Sequence, residues 1–369
     1  MFRHPRTPAF LFLLSLAACG SSSGGNGGTI TPPPAGPTAA QYVNPVLNAD
    51  FPDPGIVKAT DGSYYAYATQ TTGLRIQVAH STDLVTWSTP AEALPVKPAW
   101  TSAGSNFFAP DVSYHADFNG GRYVMYYAAQ ADTTAGTYCI GMAQSPSPTG
   151  PFADVGHPLV CGAGRNSGDF TTIDPQGFDD PQTGRRYLYW GSGFAPIQVQ
   201  ELAPDRASFA AGSSPTPVVF PRRGQPYENL VEGVWVTYHA PYYYVFYSGD
   251  NCCGNVNDVH YAVMVGRSSS PAGPFEFLRT APDGPAVPVL AAGASYIAPG
   301  HNSVVHAGSD DWMLYHAINP NNPYLIPGNT GVSRRPMLLD KITYRADGWP
   351  IVGSAGMPTS TPQTRPAVP

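Results

Sequence analysis

The sequence is poor in charge and in long apolar runs. Asp, Glu, Lys and Arg supply only 12% of its 369 residues, the net charge is −6, and Lys and Arg are not clustered. A protein that binds the phosphate backbone of a nucleic acid needs a basic patch, so we expect no nucleic-acid partner. The 39 Gly and 41 Pro interrupt every stretch that could form an amphipathic helix. This composition argues against a helical fold and against membrane-spanning helices.

What the chain has instead is aromatic residues, at 12% with 22 Tyr. Its apolar stretches are short, alternating and rich in Tyr and Val, as at residues 64–69, 123–129 and 242–247. This pattern predicts β-strands. The rings would also suit sugar binding, although strand formation alone accounts for most of them.

The N-terminal residues are typical of an export signal. Arg3 and Arg6 precede a short apolar run at residues 9–18, and residues 16–19 (LAAC) resemble a bacterial lipobox. The resemblance implies cleavage before Cys19 and lipidation of its thiol; the alternative is plain secretion with an incidental cysteine. We therefore predict a signal peptide at residues 1–19. The protein would be an exported lipoprotein with a lipid anchor, at the outer membrane and cell surface or on a periplasmic face.

The rest of the chain divides by composition. Residues 20–41 are rich in Gly, Ser and Pro and predict a flexible linker. Residues 42–356 contain no internal linker, so we predict one domain, a monomer without a protein partner. Residues 357–369 are rich in Pro and Thr, which predicts a flexible tail. Export permits disulfides, and the candidate pairs are Cys139 with Cys161 and the adjacent Cys252 and Cys253.

A motif recurs five times along residues 42–356, at intervals of roughly 60 residues. Each copy has a polar residue followed, 11 to 13 residues later, by an aromatic strand. The five polar residues are Asp53, Asp111, Asp174, Glu232 and His301. A repeat of this length built of short strands predicts a β-propeller, here all-β with five blades. We expect residues 42–47 to pair with the last blade and close the ring.

In a propeller the five polar residues would converge on the central axis. An Asp before Pro often only caps a turn, as could be so for Asp53 or Asp174 taken alone. Turn capping does not explain why four carboxylates and one imidazole occupy five equivalent positions. Clustered buried carboxylates are costly, and they persist mainly where chemistry or a cation uses them. The repeat therefore predicts an active site.

The motifs resemble those of glycoside hydrolase family 43, five-bladed β-propellers that act on arabinose- and xylose-containing polysaccharides. The resemblance rests on residues 44–47 (NPVL), 51–54 (FPDP), 109–112 (APDV), 173–175 (IDP), 231–233 (VEG) and 348–350 (GWP). It implies an inverting hydrolase in which Asp53 is the general base, Glu232 the general acid and Asp174 the carboxylate that raises the pKa of Glu232. Inversion needs an acid and a base roughly 6.5 to 9.5 Å apart. Glu228 competes with Glu232 for the acid role but falls outside the repeat register.

The resemblance also suggests residues that contact the sugar. Phe108 stands where the family commonly has Trp, and Asp111 would line the site or brace its strand. Trp235 and Phe51 could stack on sugar rings, although either could equally belong to the core. Arg335, or its neighbour Arg334, could reach the sugar hydroxyls or form a surface salt bridge.

His301 has two interpretations. In family members that resemble arabinanases, a central histidine helps to hold Ca²⁺ or another ion, which would here be structural rather than required for the chemistry. Alternatively, His301 is a neutral histidine bonded to a catalytic carboxylate.

The expected substrates are arabinan or arabinoxylan oligosaccharides. The segment that contains Cys252 and Cys253 resembles the arabinanase branch, which favours cleavage of α-L-arabinofuranosyl linkages in endo or exo fashion. Alternatives are a β-xylosidase or arabinoxylan hydrolase of the same family, an inverting fructan- or sucrose-acting propeller, a catalytically inactive glycan-binding propeller and a protein-interaction propeller. The intact Asp53, Asp174 and Glu232 favour an enzyme.

Overall fold

The structure is a computed structural model that describes residues 38–132, 137–162, 170–254, 257–321, 323–328 and 331–368. The predicted signal peptide, Cys19 and the linker up to residue 37 lie outside the described residues. Within these ranges the fold is all-β, as predicted. None of the described residues belongs to a helix with the length and apolar character needed to cross a membrane.

The described residues form 23 strands, of which 21 lie in five antiparallel sheets. The first strand in the chain is β1 (Gln41–Tyr42). Blade 1 consists of β2 (Gly55–Lys58), β3 (Tyr64–Ala68), β4 (Gln77–Ser81) and β5 (Ala91–Glu92). Blade 2 consists of β6 (Phe107–His115), β7 (Arg122–Gln130), β8 (Tyr138–Ser145), β9 (Ala153–Asp154) and β10 (Val160–Cys161). Blade 3 consists of β11 (Gln176–Asp179), β12 (Arg186–Trp190), β13 (Ile197–Glu201) and β14 (Thr216–Val219).

The remaining two sheets complete the series. Blade 4 consists of β15 (Val231–His239), β16 (Tyr242–Asn251), β17 (His260–Ser268) and β18 (Glu276–Phe277). Blade 5 consists of β19 (Ile297–Ala307), β20 (Asp310–Ile318), β21 (Met337–Tyr344) and β22 (Pro350–Val352), and the last strand is β23 (Gln363–Thr364). The first strands of the blades, β2, β6, β11, β15 and β19, contact one another in a closed cycle. This ring of inner strands confirms the predicted five-bladed propeller.

The core lies between the blades, and strand alternation builds it. Successive side chains of a strand point to opposite faces of the sheet. On β3, Tyr65 and Tyr67 therefore pack toward blade 2, while Tyr64 and Ala66 pack toward blade 5. The aromatic second strands are buried on both faces for this reason, which explains why the tyrosines recur in the repeat.

The ring is closed by both ends of the described chain. Leu47 and Met337 exchange backbone hydrogen bonds, so the segment after β1 pairs with blade 5 as predicted. The tail, which the sequence predicts to be flexible, contacts the rest of the chain at several points, although residues 357, 360, 361, 364 and 367 are exposed. β23 pairs with β1, and Thr359 is buried, where its hydroxyl and amide donate to Asp340. The tail is fixed because it supplies partners for a buried carboxylate.

Two disulfides are present among the described residues. Cys139 and Cys161 face each other across β8 and β10 and are bridged, which is the pairing considered plausible from the sequence. Cys252 and Cys253 form a vicinal bridge in the loop that follows β16.

Candidate active site

In every blade the chain bends at the functional residue of the inner strand or within two residues of it. Asp53, Asp174 and His301 have φ angles of 58°, 58° and 46°, and in the other two strands Ala109 (45°) and Gly233 (59°) take this left-handed conformation. Non-glycine residues adopt it infrequently, although Asp, Asn and His do so more readily than most. Register shifts accompany the bends in β6, β15 and β19. Such bulges re-aim side chains and occur often beside active sites.

The bends bring the five repeat residues to one place. Asp53, Asp111 and His301 line a pocket on the propeller axis, together with Trp235 and Asn302. Asp174 and Glu232 lie close enough for their carboxyl groups to interact electrostatically with Asp53. Residues far apart in the sequence therefore form a single cluster.

Asp53 is surrounded by positive and hydrogen-donating groups. Its Oδ1 lies 3.2 Å from Nη1 of Arg335 and 3.3 Å from Nδ1 of His301. Its Oδ2 accepts a hydrogen bond of 2.5 Å from the Thr69 hydroxyl. Burial would raise the pKa of Asp53, but the Arg335 guanidinium, which is the largest opposing influence, and the neighbouring His301 hold that pKa well below its usual value. Asp53 is therefore ionised, the state that a general base requires.

His316 holds the backbone of Asp53 in place. The Asp53 backbone N–H donates to Nδ1 of His316 at 3.1 Å, and the same nitrogen lies 3.3 Å from Asp53 Oδ1. The His316 side chain is fully buried, and this burial lowers its pKa to about 4. A neutral imidazole can accept the amide hydrogen, so His316 fixes the backbone that carries the carboxylate.

Glu232 occupies a different environment. Burial raises its pKa, while hydroxyl groups that bond to it oppose the shift. Tyr261 donates to Oε1 at 2.8 Å, and Ser192 donates to Oε2 at 2.9 Å. A carboxyl group whose pKa is raised by burial can keep its proton near neutral pH, as a general acid must.

Asp174 is 5% exposed and lies across the boundary between blades 3 and 4 from Glu232. Its Oδ2 accepts a hydrogen bond of 3.0 Å from the backbone N–H of Gly233. Burial raises the pKa of Asp174 well above its usual value, and the charges of Glu232 and Asp53 add to the effect. Two interacting buried carboxyl groups do not ionise independently, so Asp174 and Glu232 titrate as a pair that retains a proton.

Asp111 lines the pocket and also holds the neighbouring blade. Its Oδ2 accepts a hydrogen bond of 2.8 Å from the Gly177 N–H of blade 3. Burial raises the pKa of Asp111 to about 7. Asp111 thus combines both roles that the sequence left open, since it braces the inner strand and faces the pocket.

The other predicted contact residues divide into two groups. Trp235 is half-buried and lines the central pocket, and Phe108 is half-buried with its ring 5.5 Å from that of Tyr138. Arg335 reaches the site through Asp53 rather than forming a surface pair. The prediction that Phe51 stacks on a sugar ring is wrong. Its side chain is 0% exposed and packs in the core between blades 1 and 5, so it presents no face to a sugar.

Two competing residues lie elsewhere. Glu228 is 1% exposed and is held by Arg222 and Arg279, so its carboxylate is engaged in a structural ion pair. Arg334 donates to Asn48. Neither of these residues lines the central pocket.

Sequence reasoning missed Thr69, Ser192, Tyr261 and His316, which bond directly to the catalytic candidates. Three of these four residues could have been predicted from a repeat in the sequence. Thr69 and Ser192 follow the second strand of their blades and His316 lies near the end of its own, so they form a second, weaker repeat of polar residues one strand outside the first. Tyr261 lies on a third strand and has no counterpart in the motif.

Comparison with known proteins supports the same assignment. Residues 42–350 match the family described as glycosyl hydrolases family 43. The extracellular endo-alpha-(1->5)-L-arabinanase 1 of Bacillus subtilis (strain 168) is 27% identical over 314 residues, which cover 81% of this chain and 86% of the relative.

Two solved structures share the fold. An exo-1,5-alpha-L-arabinanase from a bovine ruminal metagenomic library has a TM-score of 0.67 at 26% identity, covering 84% of this chain and 99% of its own. A family 43 endo-arabinanase from Bacillus licheniformis has a TM-score of 0.65 at 25% identity, covering 83% and 98%. The family match spans most of the chain and agrees with the propeller and its motifs, and the chain belongs to glycosyl hydrolase family 43.

Proposed function

We propose that this protein is an inverting glycoside hydrolase that cleaves α-L-arabinofuranosyl linkages in arabinan. The main support is that two carboxyl groups of one cluster have pKa values shifted in opposite directions. A single cluster contains a carboxylate held ionised, Asp53, and a carboxyl group with a raised pKa, Glu232. Carboxyl groups whose surroundings drive their pKa values apart mark an acid and a base. The similarity to proteins named as arabinanases supports arabinan as the substrate.

In this mechanism Asp53 accepts a proton from a water molecule as that water attacks the anomeric carbon. Glu232 gives its proton to the glycosidic oxygen as the carbon–oxygen bond breaks. The configuration inverts because water and leaving group lie on opposite sides of the sugar ring. Arg335 and His301 keep Asp53 charged before the reaction, and Asp174 keeps a proton available to the pair it forms with Glu232.

The remaining alternatives concern the sugar and the mode of cutting. A hydrolase of the same family that acts on xylosides or arabinoxylan would use the same three carboxyl groups. The relatives named above include both an endo- and an exo-arabinanase, so product size has to decide between the two modes. A glycan-binding propeller without activity would bind arabinan and leave it intact.

A Ca²⁺ ion held mainly by protein ligands at His301 fits the described residues poorly. Ca²⁺ takes about six to eight oxygen ligands. The described residues contain no group of three or more His, Cys, Asp or Glu arranged to hold a metal. His301 Nδ1 instead faces Asp53 Oδ1 at 3.3 Å, which is the alternative considered from the sequence. We derive no step of the reaction from an ion.

A hydrolysis screen tests the function. The protein from residue 20 onward and its Glu232→Gln variant are incubated with linear arabinan, arabinoxylan, p-nitrophenyl α-L-arabinofuranoside and p-nitrophenyl β-D-xyloside. We expect arabinose or short arabino-oligomers from arabinan, with the activity lost in the variant. Chromatography of the products separates exo from endo cutting, and NMR of the first product identifies its anomer. No turnover by the folded protein would contradict the proposal, and release of xylose alone would replace the substrate.

We also propose that Cys19 carries a lipid that anchors the enzyme to a membrane. The motif before Cys19 supports this. In a bacterial host fed labelled palmitate, the full chain should acquire label and sediment with membranes, while Cys19→Ala should do neither. Unlabelled, freely secreted wild-type protein would establish plain secretion instead.

A further inference from the structure

Tyr261 is buried at the centre of the propeller, with 1% of its surface exposed, and its hydroxyl donates to Glu232. Burial raises the pKa of Tyr261 well above its usual value, and the nearby Glu232 carboxylate adds to the shift. The hydroxyl therefore keeps its proton at neutral pH. Toward an ionised Glu232 it can act only as a donor.

The Tyr261 ring is fixed by two residues of blade 5. It stacks on the imidazole of His316, with the two planes 2° apart and the ring centres 5.8 Å apart. Gly300 lies against the edge of the ring, where any Cβ would overlap Cε1 and Cδ1 of the tyrosine. Only glycine leaves room for the ring in this position.

His316 connects this ring to the other catalytic candidate. Its Nδ1 accepts the backbone N–H of Asp53, so one imidazole contacts the residue assigned as base and stacks on the ring that bonds the residue assigned as acid. Its Nε2 is buried and has no hydrogen-bond partner among the described residues. A buried, unpaired ring nitrogen is costly, and such costs are tolerated mainly at functional sites.

We propose that Tyr261 is a positioning residue for the general acid, seated by His316 and Gly300, so that the acid and the base are oriented by one rigid unit. This inference rests on the proposed function. The unit is defined as Tyr261, His316 and Gly300, and none of the three need touch the substrate.

The Tyr261 hydroxyl also influences the pH dependence of activity. The charged and titratable groups around Glu232 are Asp53, Asp174, Arg335 and Tyr261, with the Ser192 hydroxyl as the second donor. A hydrogen bond donated to a carboxylate stabilises its charged form. Removal of the Tyr261 hydroxyl therefore raises the pKa of the acid and moves the basic limb of the kcat/KM profile to higher pH.

Tyr261→Phe tests this with the ring retained. We expect kcat/KM on arabinan to fall by about tenfold or more at neutral pH, mainly through kcat, with the basic limb shifted upward. Gly300→Ala should reproduce both effects, because it displaces the same ring. The control is Tyr64→Phe, which removes a buried hydroxyl without a partner in the described residues and outside the site, and which should leave the profile unchanged. A Tyr261→Phe enzyme with a wild-type profile, or one slowed with both limbs unmoved, would overturn the proposal.

A second measurement separates failure of this inference from failure of the proposed function. Urea unfolding is followed for Tyr261→Phe, Glu232→Ala and the double variant, which requires no substrate. If Tyr261 and Glu232 are bonded as inferred, the shifts of the two single variants will not add in the double variant. Additive shifts would reject the positioning role even in an active enzyme. Coupled shifts in a protein that leaves arabinan intact would reject the function and retain the unit.

Discussion

The backbone N–H of Gly233 donates to Asp174 Oδ2 at 3.0 Å, across the boundary between blades 3 and 4. Gly233 directly follows Glu232, so this bond fixes two buried carboxyl groups relative to each other. The same kind of bond crosses the other four boundaries: Ala109 N–H to Thr69 Oγ1, Gly177 N–H to Asp111 Oδ2, His301 N–H to Ser248 Oγ and Asp53 N–H to His316 Nδ1. A ring of five side-chain acceptors therefore encircles the site.

The ring follows from the bends in the inner strands. A bulge leaves backbone groups without a partner in the strand ladder, and a buried N–H without an acceptor is costly. Each blade meets this cost with a side chain from the blade before it. The acceptors Asp111 and Asp174 consequently have two roles, since they pack the propeller and shape the electrostatics of the pocket.

Asp174→Asn should separate these two roles. Asn retains an oxygen that can accept the Gly233 hydrogen bond, so stability should change little, whereas the negative charge beside Glu232 is lost. We expect kcat/KM on arabinan to fall on the order of a hundredfold. The basic limb should move to lower pH, because Asn cannot add a second negative charge beside Glu232 when the pair loses its proton. Asp174→Ala should cost a further ~1–3 kcal/mol in urea unfolding, since it orphans the Gly233 N–H. An unshifted basic limb in the Asn variant would contradict the assigned role.

Arg335→Met should act on the other limb. Burial alone raises the pKa of Asp53, and Arg335 is the largest of the influences that lower it. Loss of the guanidinium therefore raises the pKa of the base, and the acidic limb of kcat/KM should move to higher pH. Arg335→Lys, which keeps the charge, should move it less. Identical acidic limbs in all three proteins would mean that Asp53 is not the group that titrates there.

The sequence was enough to predict the fold and the five converging residues because both follow from a strict repeat. The aromatic second strands and the polar residue before or within each inner strand recur in every blade. Propeller geometry then brings the five polar residues together on the central axis. Residues that act from a single blade leave no such trace. In the sequence Tyr261 resembles the other strand tyrosines. Nothing in its spacing indicates that its hydroxyl donates to Glu232.

Phe51 and the C-terminal tail illustrate that composition reports local preference and not partners. Phe51 neighbours Asp53 in the sequence, yet the bend at Asp53 leaves its ring in the core between blades. The Pro- and Thr-rich tail has no apolar pattern of its own. It becomes ordered because Asp340 is buried and needs the Thr359 hydroxyl and amide.

Thr359→Val should therefore destabilise the propeller although Thr359 is far along a polar tail. Valine matches the shape of threonine and removes only the hydroxyl that donates to Asp340, whose carboxylate also accepts from Tyr315 and Asn44. We expect a loss of ~1–3 kcal/mol in the free energy of unfolding by urea. Thr361→Val, at an exposed position nearby, is the matched control and should change little. Equal stability of both variants would restore the view of the tail as a loose segment.

Asp111 should make stability depend on pH in a direction opposite to that of most carboxylates. Its pKa in the folded protein is about 7, above the ordinary value of 3.8, because burial disfavours its charge. Between these values the folded state binds more protons than the unfolded state, so this stabilisation is complete at low pH and is lost as pH rises toward 7. Asp111→Asn stays neutral at every pH and lacks this loss.

The free energy of unfolding of the Asn variant, relative to wild type, should therefore rise between pH 4 and pH 8 by up to about 4 kcal/mol, at ~1.4 kcal/mol for each unit of pKa shift. The measurement is urea unfolding at several pH values. Asp61→Asn, at an exposed turn of blade 1, is the control, and its curve should stay close to that of wild type. Parallel curves for wild type and Asp111→Asn would mean that Asp111 is ionised in the folded protein, and its carboxylate would then face the pocket as a charge rather than as a hydrogen-bonding acid.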